Sequence, residues 1–261
     1  MPQIELRNVS LSYFTLQSET RALRDIHLSV KGGEFISLVG PSGCGKSTLL
    51  SLISGMIKPT NGKVLLFGDP LNHASERVGY MLQHDYLFEW RDILSNVMVG
   101  AEIRRMNLKE AKQKALRLLE HYGLAEFAHY NPNQLSGGMR QRVALIRTLM
   151  TDPDILLLDE PFSAIDYQAR LSLQDEFSSI IRDQGKTAVL VTHDISEAIA
   201  MADRVCVMSA RPSTITTIHD IHYATSPRPA PLQTRQEPEY NSYFNTIWKE
   251  MKSSVLTDQE R

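Results

Sequence analysis

The sequence contains few cysteines, little net charge and no long apolar run, and each absence excludes a class of protein. Cys44 and Cys206 are the only cysteines among 261 residues, which excludes a disulfide framework and a cysteine-rich metal site. We therefore expect a soluble protein in a reducing, intracellular environment. The net charge of -2 predicts no general attraction to nucleic acid or to an anionic membrane, and no apolar run approaches the roughly 18 residues of a transmembrane helix. With 42% hydrophobic residues, the chain can form one large α/β domain, with or without an inserted subdomain.

Apolar periodicity predicts strands first, and alternating strands and helices afterwards. The N-terminal third reads as strands separated by turns, and "HLSVKGGEF" predicts a hairpin with Gly32 and Gly33 at its tip. From Leu108 to Tyr122 apolar residues recur every three or four positions, which predicts an amphipathic helix. The short runs "ILLLD", "TAVLVTH" and "RVCVM" are typical of strands buried on both faces. Because helical stretches separate these runs, we expect βαβ units and a parallel sheet.

The part of the chain after Ser209 differs in composition. "TITTIHDI" alternates and predicts an edge strand, and the proline-rich "SPRPAPLQTRQEP" predicts an extended segment. A helix is then predicted to begin near Pro238, because apolar residues recur at helical spacing. These residues are Tyr240, Tyr243, Phe244, Ile247, Trp248 and Met251. We expect this stripe to pack on its own domain, while docking of a permease, a second copy or a regulatory ligand stays open.

The stretch "GPSGCGKST" at residues 40–48 has the spacing of a phosphate-binding loop, G-x-x-x-x-G-K-[ST]. Glycine lets backbone N–H groups converge on phosphate oxygens, and the following helix offers its N-terminus to the anion. Lys46 is the candidate cation for the β- and γ-phosphates, and the Ser47 hydroxyl is a candidate Mg²⁺ ligand. The candidate nucleotide-binding residues of the loop are Gly40, Pro41, Ser42, Gly43, Cys44, Gly45, Lys46, Ser47 and Thr48. A simple glycine turn before a helix is the alternative.

An acidic pair and a second glycine pair extend the pattern. Asp159 and Glu160 follow the run "ILLL". At the carboxyl end of a parallel strand, Asp159 is a candidate Mg²⁺ ligand and Glu160 a candidate for orienting the attacking water. In "LSGGMRQR", Ser136 is a candidate N-cap, and Gly137 and Gly138 expose N–H groups at a positive helix end. Each of these two motifs, taken alone, also fits an ordinary helix start.

The order of the motifs resembles that of the nucleotide-binding subunits of ABC transporters. The resemblance rests on "GPSGCGKST", Gln83 in "VGYMLQHDYLFEW", "LSGGMRQR", "ILLLDEP", "SAID" and "VTHD", and it covers residues from about 3 to 210. It implies an α/β fold, with a P-loop NTPase core of mostly parallel sheet, an N-terminal antiparallel β subdomain and an inserted α-helical subdomain. The expected boundaries are 1–225 for the ATPase domain, with the helical insert at about 84–150, and 226–261 for a proline-rich segment and C-terminal helix.

The resemblance also implies roles for single residues. Tyr13 resembles the aromatic residue that stacks on adenine; Phe14 is the weaker candidate, and a plain core or edge aromatic is the alternative. Gln83 resembles the residue that contacts Mg²⁺ and the attacking water, and His193 resembles the histidine that contacts the γ-phosphate. Asp166 resembles the aspartate that helps link two sites across a dimer. With Glu160, Gln83 and His193 form the expected catalytic set.

ATP, Mg²⁺ and a second copy of the chain are the ligands and partner that the resemblance implies. Ser136 and Gly138 are then expected to contact the γ-phosphate of ATP held by the second copy, so that two chains close head-to-tail over two nucleotides. Two residues depart from the family pattern, since Met139 stands in place of Gln and Ile165 in place of Leu. Because Ser136 and both glycines of the signature are intact, we expect at most a modest effect on turnover.

Within the family, "LFEWRDILSNV" and "VMSARP" resemble the subunits of importers for nitrate, sulfonates, taurine and pyrimidine precursors of thiamine. This likeness implies an integral membrane permease docked near Gln83 and the insert, an extracytoplasmic solute-binding protein, no nucleic acid, and a location at the cytoplasmic face of the cell membrane. An ABC-type ATPase for DNA repair or ribosome work is the main alternative, although the chain has one cassette, no heptad run and no basic arm. A scaffold without hydrolytic activity is the third possibility, and Asp159, Glu160 and His193 argue against it.

Overall fold

The computed structural model describes residues 2–15, 17–163 and 165–259. Its strands are, in chain order, β1 (Pro2–Phe14), β2 (Glu19–Lys31), β3 (Phe35–Val39), β4 (Asn61–Leu66), β5 (Asp69–Pro70), β6 (Val78–Met81), β7 (Ile155–Asp159), β8 (Thr187–Val191), β9 (Arg204–Met208) and β10 (Ile215–Asp220). Its helices are α1 (Lys46–Ile53), α2 (Ile93–Ile103), α3 (Leu108–His121), α4 (Gly137–Leu149), α5 (Tyr167–Asp183), α6 (Ile195–Met201), α7 (Pro231–Thr234) and α8 (Tyr240–Gln259).

The chain divides into two compact units. Unit 1 comprises Met1–Ser75 and Gln174–Arg261, and unit 2 comprises Glu76–Leu173. Unit 2 is longer at both ends than the insert expected at about 84–150. The C-terminal segment from residue 226 belongs to unit 1.

Unit 1 contains an antiparallel sheet in the order β2-β1-β4-β5. Leu6 of β1 lies opposite Leu28 of β2 on one side and Val64 of β4 on the other, and all three side chains are buried. Apolar and polar residues alternate along β1 and β2, which places one face of the sheet in the core. The expected N-terminal antiparallel β subdomain is therefore present.

The second set of strands in unit 1 has the order β10-β9-β3-β8. β3 is parallel to both β8 and β9, whereas β10 pairs antiparallel with β9 as the predicted edge strand. Every residue of β3 and of β8 is buried, as expected for parallel strands covered on both faces.

The hairpin predicted from "HLSVKGGEF" is wrong. β2 pairs with β1, and β3 pairs with β8 and β9, so the two strands that flank Gly32 and Gly33 lie in different sheets. The physical reason is the mostly apolar composition of β3, whose five residues are all buried, as is typical of a strand covered on both faces in a parallel sheet. Gly33, with φ of 74°, supplies the turn that redirects the chain.

Unit 2 contains the parallel strands β6 and β7 and a helical cluster. Val97 of α2, Ala115 of α3 and Ile146 of α4 are fully buried in this cluster. The predicted amphipathic helix is confirmed as α3, and the Asn107 side chain caps it by accepting hydrogen bonds from the amides of Lys109 and Glu110. The helices of unit 2 therefore form their own apolar core.

The C-terminal segment of unit 1 contains two helices. The extended segment expected around 226–238 is interrupted by α7, because Pro231 occupies the first helical position, where its fixed φ favours a helix. In α8 Tyr240 and Ile247 are buried, whereas Trp248 is 54% exposed. The apolar stripe packs against α6 and β9 of its own unit, as expected.

No helix in the described part of the chain is both long and apolar enough to cross a membrane.

Candidate nucleotide site

The phosphate loop connects β3 to α1 in unit 1, as the sequence predicts. Gly43 and Gly45 have φ of 72° and 120°, values that residues with a Cβ atom rarely adopt. Gly45 is the N-cap of α1, so the first amides of this helix point out of the loop. At Gly40 a Cβ would lie 2.8 Å from the Met208 carbonyl oxygen, and at Gly45 it would lie 2.9 Å from Leu23 Cδ2. Backbone conformation and close packing thus both require glycine in this loop.

Lys46 is buried, and backbone carbonyl oxygens of the phosphate loop hold its ammonium group. The side chain is 6% exposed, and its Nζ donates to the carbonyl oxygens of Gly40 and Pro41, both at 2.9 Å. In the described residues Lys46 has no carboxylate partner. Since a buried ammonium group is costly without a counter-charge, the loop fits an anionic group such as a polyphosphate.

The aromatic candidates lie at the end of β1. Tyr13 is 46% exposed and its hydroxyl lies 3.4 Å from Thr48 Oγ1, whereas Phe14 is 68% exposed. Within unit 1, therefore, Tyr13 contacts the phosphate loop while almost half of its surface stays exposed. That combination is what stacking on a base requires.

His193 occupies the short connection between β8 and α6. Its side chain is exposed, whereas the residues on either side of it form hydrogen bonds. Thr192 Oγ1 accepts a hydrogen bond from the Asp194 amide at 3.0 Å, and Asp194 is the N-cap of α6. The backbone on the C-terminal side of His193 is therefore ordered by a helix cap.

In unit 2 the structure brings Gln83 and Glu160 together. Gln83 Nε2 donates to Glu160 Oε2 at 3.3 Å. Asp159, at the end of β7, is 7% exposed and accepts a hydrogen bond from the Tyr80 hydroxyl at 3.3 Å. The carboxylate oxygens of Asp159 are of the hard type that Mg²⁺ prefers, so this residue fits a role as a ligand of the ion.

Glu160 has an unusual backbone conformation. Its φ is 45°, in the left-handed region that non-glycine residues adopt only at a cost of order 1–3 kcal/mol. Its carbonyl oxygen accepts hydrogen bonds from both the amide and the hydroxyl of Ser163. These bonds hold the strained residue, and such strain is common at functional sites.

The second glycine pair begins α4, also in unit 2. Ser136 is the N-cap, and its Oγ accepts from the Met139 amide at 3.3 Å. Ser136 is exposed, and Gly137 is the first residue of the helix. A Cβ on Gly138 would lie 3.3 Å from Leu173 Cδ1, so this glycine also allows close packing. The positive end of α4 is thus open to an anion.

Comparison with known proteins identifies the family. A sequence profile of the ABC transporter family matches residues 23–163. The chain belongs to the ABC transporter family. It is 47% identical over its whole length to the uncharacterised ABC transporter ATP-binding protein YtlC of Bacillus subtilis, of which the match covers 99%. It is 42% identical over 74% of its length to the taurine import ATP-binding protein TauB of Yersinia pestis, of which 76% is covered. The chain is thus an ABC transporter ATP-binding subunit.

A solved ABC cassette supports the same assignment. The dimeric, post-hydrolysis state of the ATP-binding cassette MJ0796, bound to ADP and phosphate, matches 84% of this chain and 99% of that chain. The TM-score is 0.74 and the sequence identity 32%. The fold class predicted from the sequence is confirmed.

Two residues that depart from the ABC pattern have structural explanations. Met139 is half-buried against the helical core of unit 2, so an apolar side chain suits this position. Ile165 is 6% exposed, and an Ile-for-Leu exchange conserves the buried volume. Beside it, Asp166 Oδ1 accepts a hydrogen bond from the Ala169 amide in the first turn of α5, so this carboxylate acts as a helix cap in the structure.

Sequence reasoning missed the contact of Tyr80 with Asp159. It lies on β6, whose register places it opposite Leu157 of β7, and its hydroxyl reaches Asp159. A tyrosine in the run "RVGYM" is an ordinary strand residue, so no local signal distinguishes it. Only the pairing of β6 with β7 shows the contact.

Proposed function

We propose that the chain hydrolyses Mg-ATP and that two copies, closed head-to-tail over two nucleotides, energise a solute importer. The observation that carries the proposal is the hydrogen bond between Gln83 and Glu160 in unit 2, with Asp159 directly before Glu160. A glutamate that shares a hydrogen bond with a glutamine amide is suited to hold and deprotonate a water molecule. The likeness to a dimeric post-hydrolysis cassette supports it.

Each predicted residue then has a role. The amides of residues 40–48 and Lys46 bind the phosphates, and Tyr13 stacks on adenine. Mg²⁺, held by Ser47, Asp159 and Gln83, would neutralise charge on the β- and γ-phosphates. Glu160 orients the attacking water and accepts its proton, and His193 contacts the γ-phosphate.

Ser136, Gly137 and Gly138 act on the nucleotide of the second copy. The open N-terminus of α4 offers N–H groups and a positive dipole to that γ-phosphate. Asp166 helps to link the two sites. Hydrolysis then reopens the dimer.

The permease is proposed to dock beside Gln83, where unit 2 exposes aromatic side chains. Tyr86 and Trp90 are 58% and 79% exposed. Arg147 of α4 donates to the carbonyl oxygens of Asp85 and Tyr86, and Arg140 of α4 forms an ion pair with Asp85 at 3.1 Å. A force on this segment is therefore passed directly to the helix that begins at the signature glycines.

The importer is proposed to belong to the taurine, sulfonate, nitrate or thiamine-precursor group, with an extracytoplasmic solute-binding protein and a location at the cytoplasmic face of the membrane. Support comes from TauB proteins of several bacteria, including one of Roseobacter denitrificans that is 33% identical over the whole chain. Purification from detergent extract tests this part, because a permease should accompany the chain. Ribosomal proteins or DNA in its place would favour the rival class of ABC ATPases.

Hydrolysis is tested with Glu160→Gln. We expect this variant to bind ATP, to accumulate as a dimer in Mg-ATP by light scattering, and to lose steady-state phosphate release. Glu126→Gln is the matched control, since Glu126 is an exposed acid of the same unit outside the site. Parental turnover in Glu160→Gln would remove Glu160 from its role, and a variant that stays monomeric in saturating Mg-ATP with its permease would contradict the closed dimer.

A further inference from the structure

The C-terminal segment of unit 1, residues 221–250, contacts both ends of α6. This helix begins directly after the connection that carries His193. The segment therefore holds, at both ends, the helix that follows His193.

At the C-terminal end of α6 the segment satisfies main-chain carbonyl groups. Arg228 Nη2 donates to the oxygens of Ile199 at 2.9 Å and Ala200 at 3.3 Å, and the Tyr223 hydroxyl donates to Ile199 at 3.2 Å. These are the carbonyls that a helix end leaves without intrahelical partners, and a cation there is favourable. The side chain of Arg228 is 16% exposed and its guanidinium lies 5.0 Å from the centre of the Tyr223 ring. Burial lowers the pKa of Arg228.

At the N-terminal end the contact runs through a chain of buried hydrogen bonds. Glu197, in the first turn of α6, is 3% exposed, and its Oε1 accepts from Gln174 Nε2 at 2.7 Å. The Oε1 of Gln174, itself fully buried, accepts from Arg235 Nη2 at 2.5 Å. Because a buried carboxylate and a buried amide both require partners, Arg235 supplies the donor that completes the chain.

A second contact reinforces the first. Tyr240, the first residue of α8, is 8% exposed, and α8 packs against α6. Burial raises the pKa of Tyr240, and the Ser196 and Arg235 side chains offset only part of that effect. The first turn of α6 is thus held by Arg235 through the buried hydrogen bonds, and α8 packs on the same helix.

The same turn is tied to the backbone beside His193. The amides of Ser196 and Glu197 donate to Asp194 Oδ1, at 2.8 and 3.4 Å, and Asp194 is the next residue after His193. Resting on the ATPase activity proposed above, we propose that Arg235 is a positioning residue for His193, acting through Gln174 and Glu197. The C-terminal segment then sets the rate of hydrolysis without touching the nucleotide.

The test compares Arg235→Met, Arg235→Lys and a control, Glu250→Gln, in the wild-type and His193→Ala backgrounds. Glu250 ties α8 to Thr217 and His219 of β10. We expect Arg235→Met to lower kcat about fivefold to tenfold, the range of a disrupted buried network, with KM for ATP within about twofold. Arg235→Lys keeps a donor and should retain more than half of kcat, and Glu250→Gln should match the wild type.

The His193→Ala background separates positioning from general damage. There, Arg235→Met should not lower the residual single-turnover rate further, because its effect passes through the missing imidazole. An equal fold-loss in both backgrounds, or parental kcat in Arg235→Met, would overturn the proposal. If Arg235→Met melts below the assay temperature, Arg235→Gln takes its place.

A second readout does not need turnover. The imidazole resonance of His193, assigned by its loss in His193→Ala, should shift or broaden in Arg235→Met and not in Glu250→Gln. An unchanged resonance in Arg235→Met overturns the positioning role. A wild-type protein without phosphate release would instead contradict the proposed function, and the resonance would still decide the role of Arg235.

Discussion

Replacement of Gly40 by Ala tests how tightly the phosphate loop is packed. The new Cβ would lie 2.8 Å from the Met208 carbonyl oxygen, 3.1 Å from Met208 Cβ and 3.2 Å from Cys44 Sγ. The first of these atoms belongs to the backbone at the end of β9, which is paired with β3 on one side and β10 on the other. The obstruction therefore cannot be relieved by rotation of a side chain.

The cost follows from overpacking of a rigid site. Forcing such a contact typically costs about 1–3 kcal/mol, of which the lower unfolded-state entropy of Ala offsets about 0.4–1 kcal/mol. We expect a net loss of about 1–2 kcal/mol, which corresponds to a melting temperature lower by roughly 2–8 °C for a protein of this size. Since Lys46 is held by the Gly40 carbonyl oxygen, displacement of Gly40 should also weaken ATP binding about tenfold, or about 1.4 kcal/mol.

The assay is thermal unfolding without nucleotide, followed by ATP titration. Gly32→Ala, outside the phosphate loop, is the matched control, because its φ is not in the left-handed region and the atom nearest to its Cβ position is the end of the flexible Gln3 side chain, 3.0 Å away. Cys44→Ala in the Gly40→Ala background should restore little, since the backbone contact remains. A Gly40→Ala protein with the wild-type melting temperature and ATP affinity would refute the reasoning.

Three further predictions concern other parts of the chain. Tyr80→Phe removes the hydroxyl that donates to Asp159, so the Mg²⁺ concentration needed for half-maximal ATP binding should rise roughly tenfold, and an unchanged Mg²⁺ dependence would exclude this contact from metal binding. Cys44 and Cys206 are 2% and 0% exposed, and burial raises the pKa of Cys206 to about 12. A thiol reagent at pH 8 should therefore label neither residue in the native protein and both in urea; rapid native labelling would contradict their burial. Burial raises the pKa of Asp92, but hydrogen bonds from α2 and a histidine lower it more, so the stability it provides is present above its usual pKa of 3.8 and lost as the pH falls through its lower folded value. Asp92→Asn, which still caps α2, should lose less stability below about pH 4 in acid titrations, and parallel curves for both proteins would show that Asp92 does not contribute.

The parts of the site that the sequence predicts are those with local causes. The loop at 40–48 needs glycine for its own backbone and a helix directly after it, and both requirements are visible in nine residues. The same holds for Ser136, which caps the helix that follows it. The apolar run of β7 likewise predicts the strand that ends at Asp159. In each case the residues that determine the structure are neighbours in the chain.

The predictions that are wrong concern parts of the structure that depend on residues distant in the sequence. The hairpin predicted at Gly32 and Gly33 does not form because β3 pairs with β8 and β9, which lie more than 140 residues away in the chain. The contact of Tyr80 with Asp159 depends on strand pairing in the same way. High proline content favours an extended segment but does not require one. The helix α7 forms in this segment because Pro231 can serve as the first residue of a helix.

The contacts between the C-terminal segment and α6 could not be predicted from the sequence. Arg228 and Tyr223 bind carbonyl oxygens of the main chain, and such acceptors are offered by every residue, so the pairing leaves no mark in the sequence of α6. Arg235 donates a hydrogen bond to Gln174, which in turn donates one to the buried Glu197. Three residues that are distant in the sequence thus form one chain of hydrogen bonds. Because a gap in that chain leaves a buried amide oxygen without its donor, at a cost of about 1–3 kcal/mol, the segment is bound to α6 by more than apolar packing. The order of α6, the helix after His193, therefore depends on contacts with residues that are far from it in the sequence.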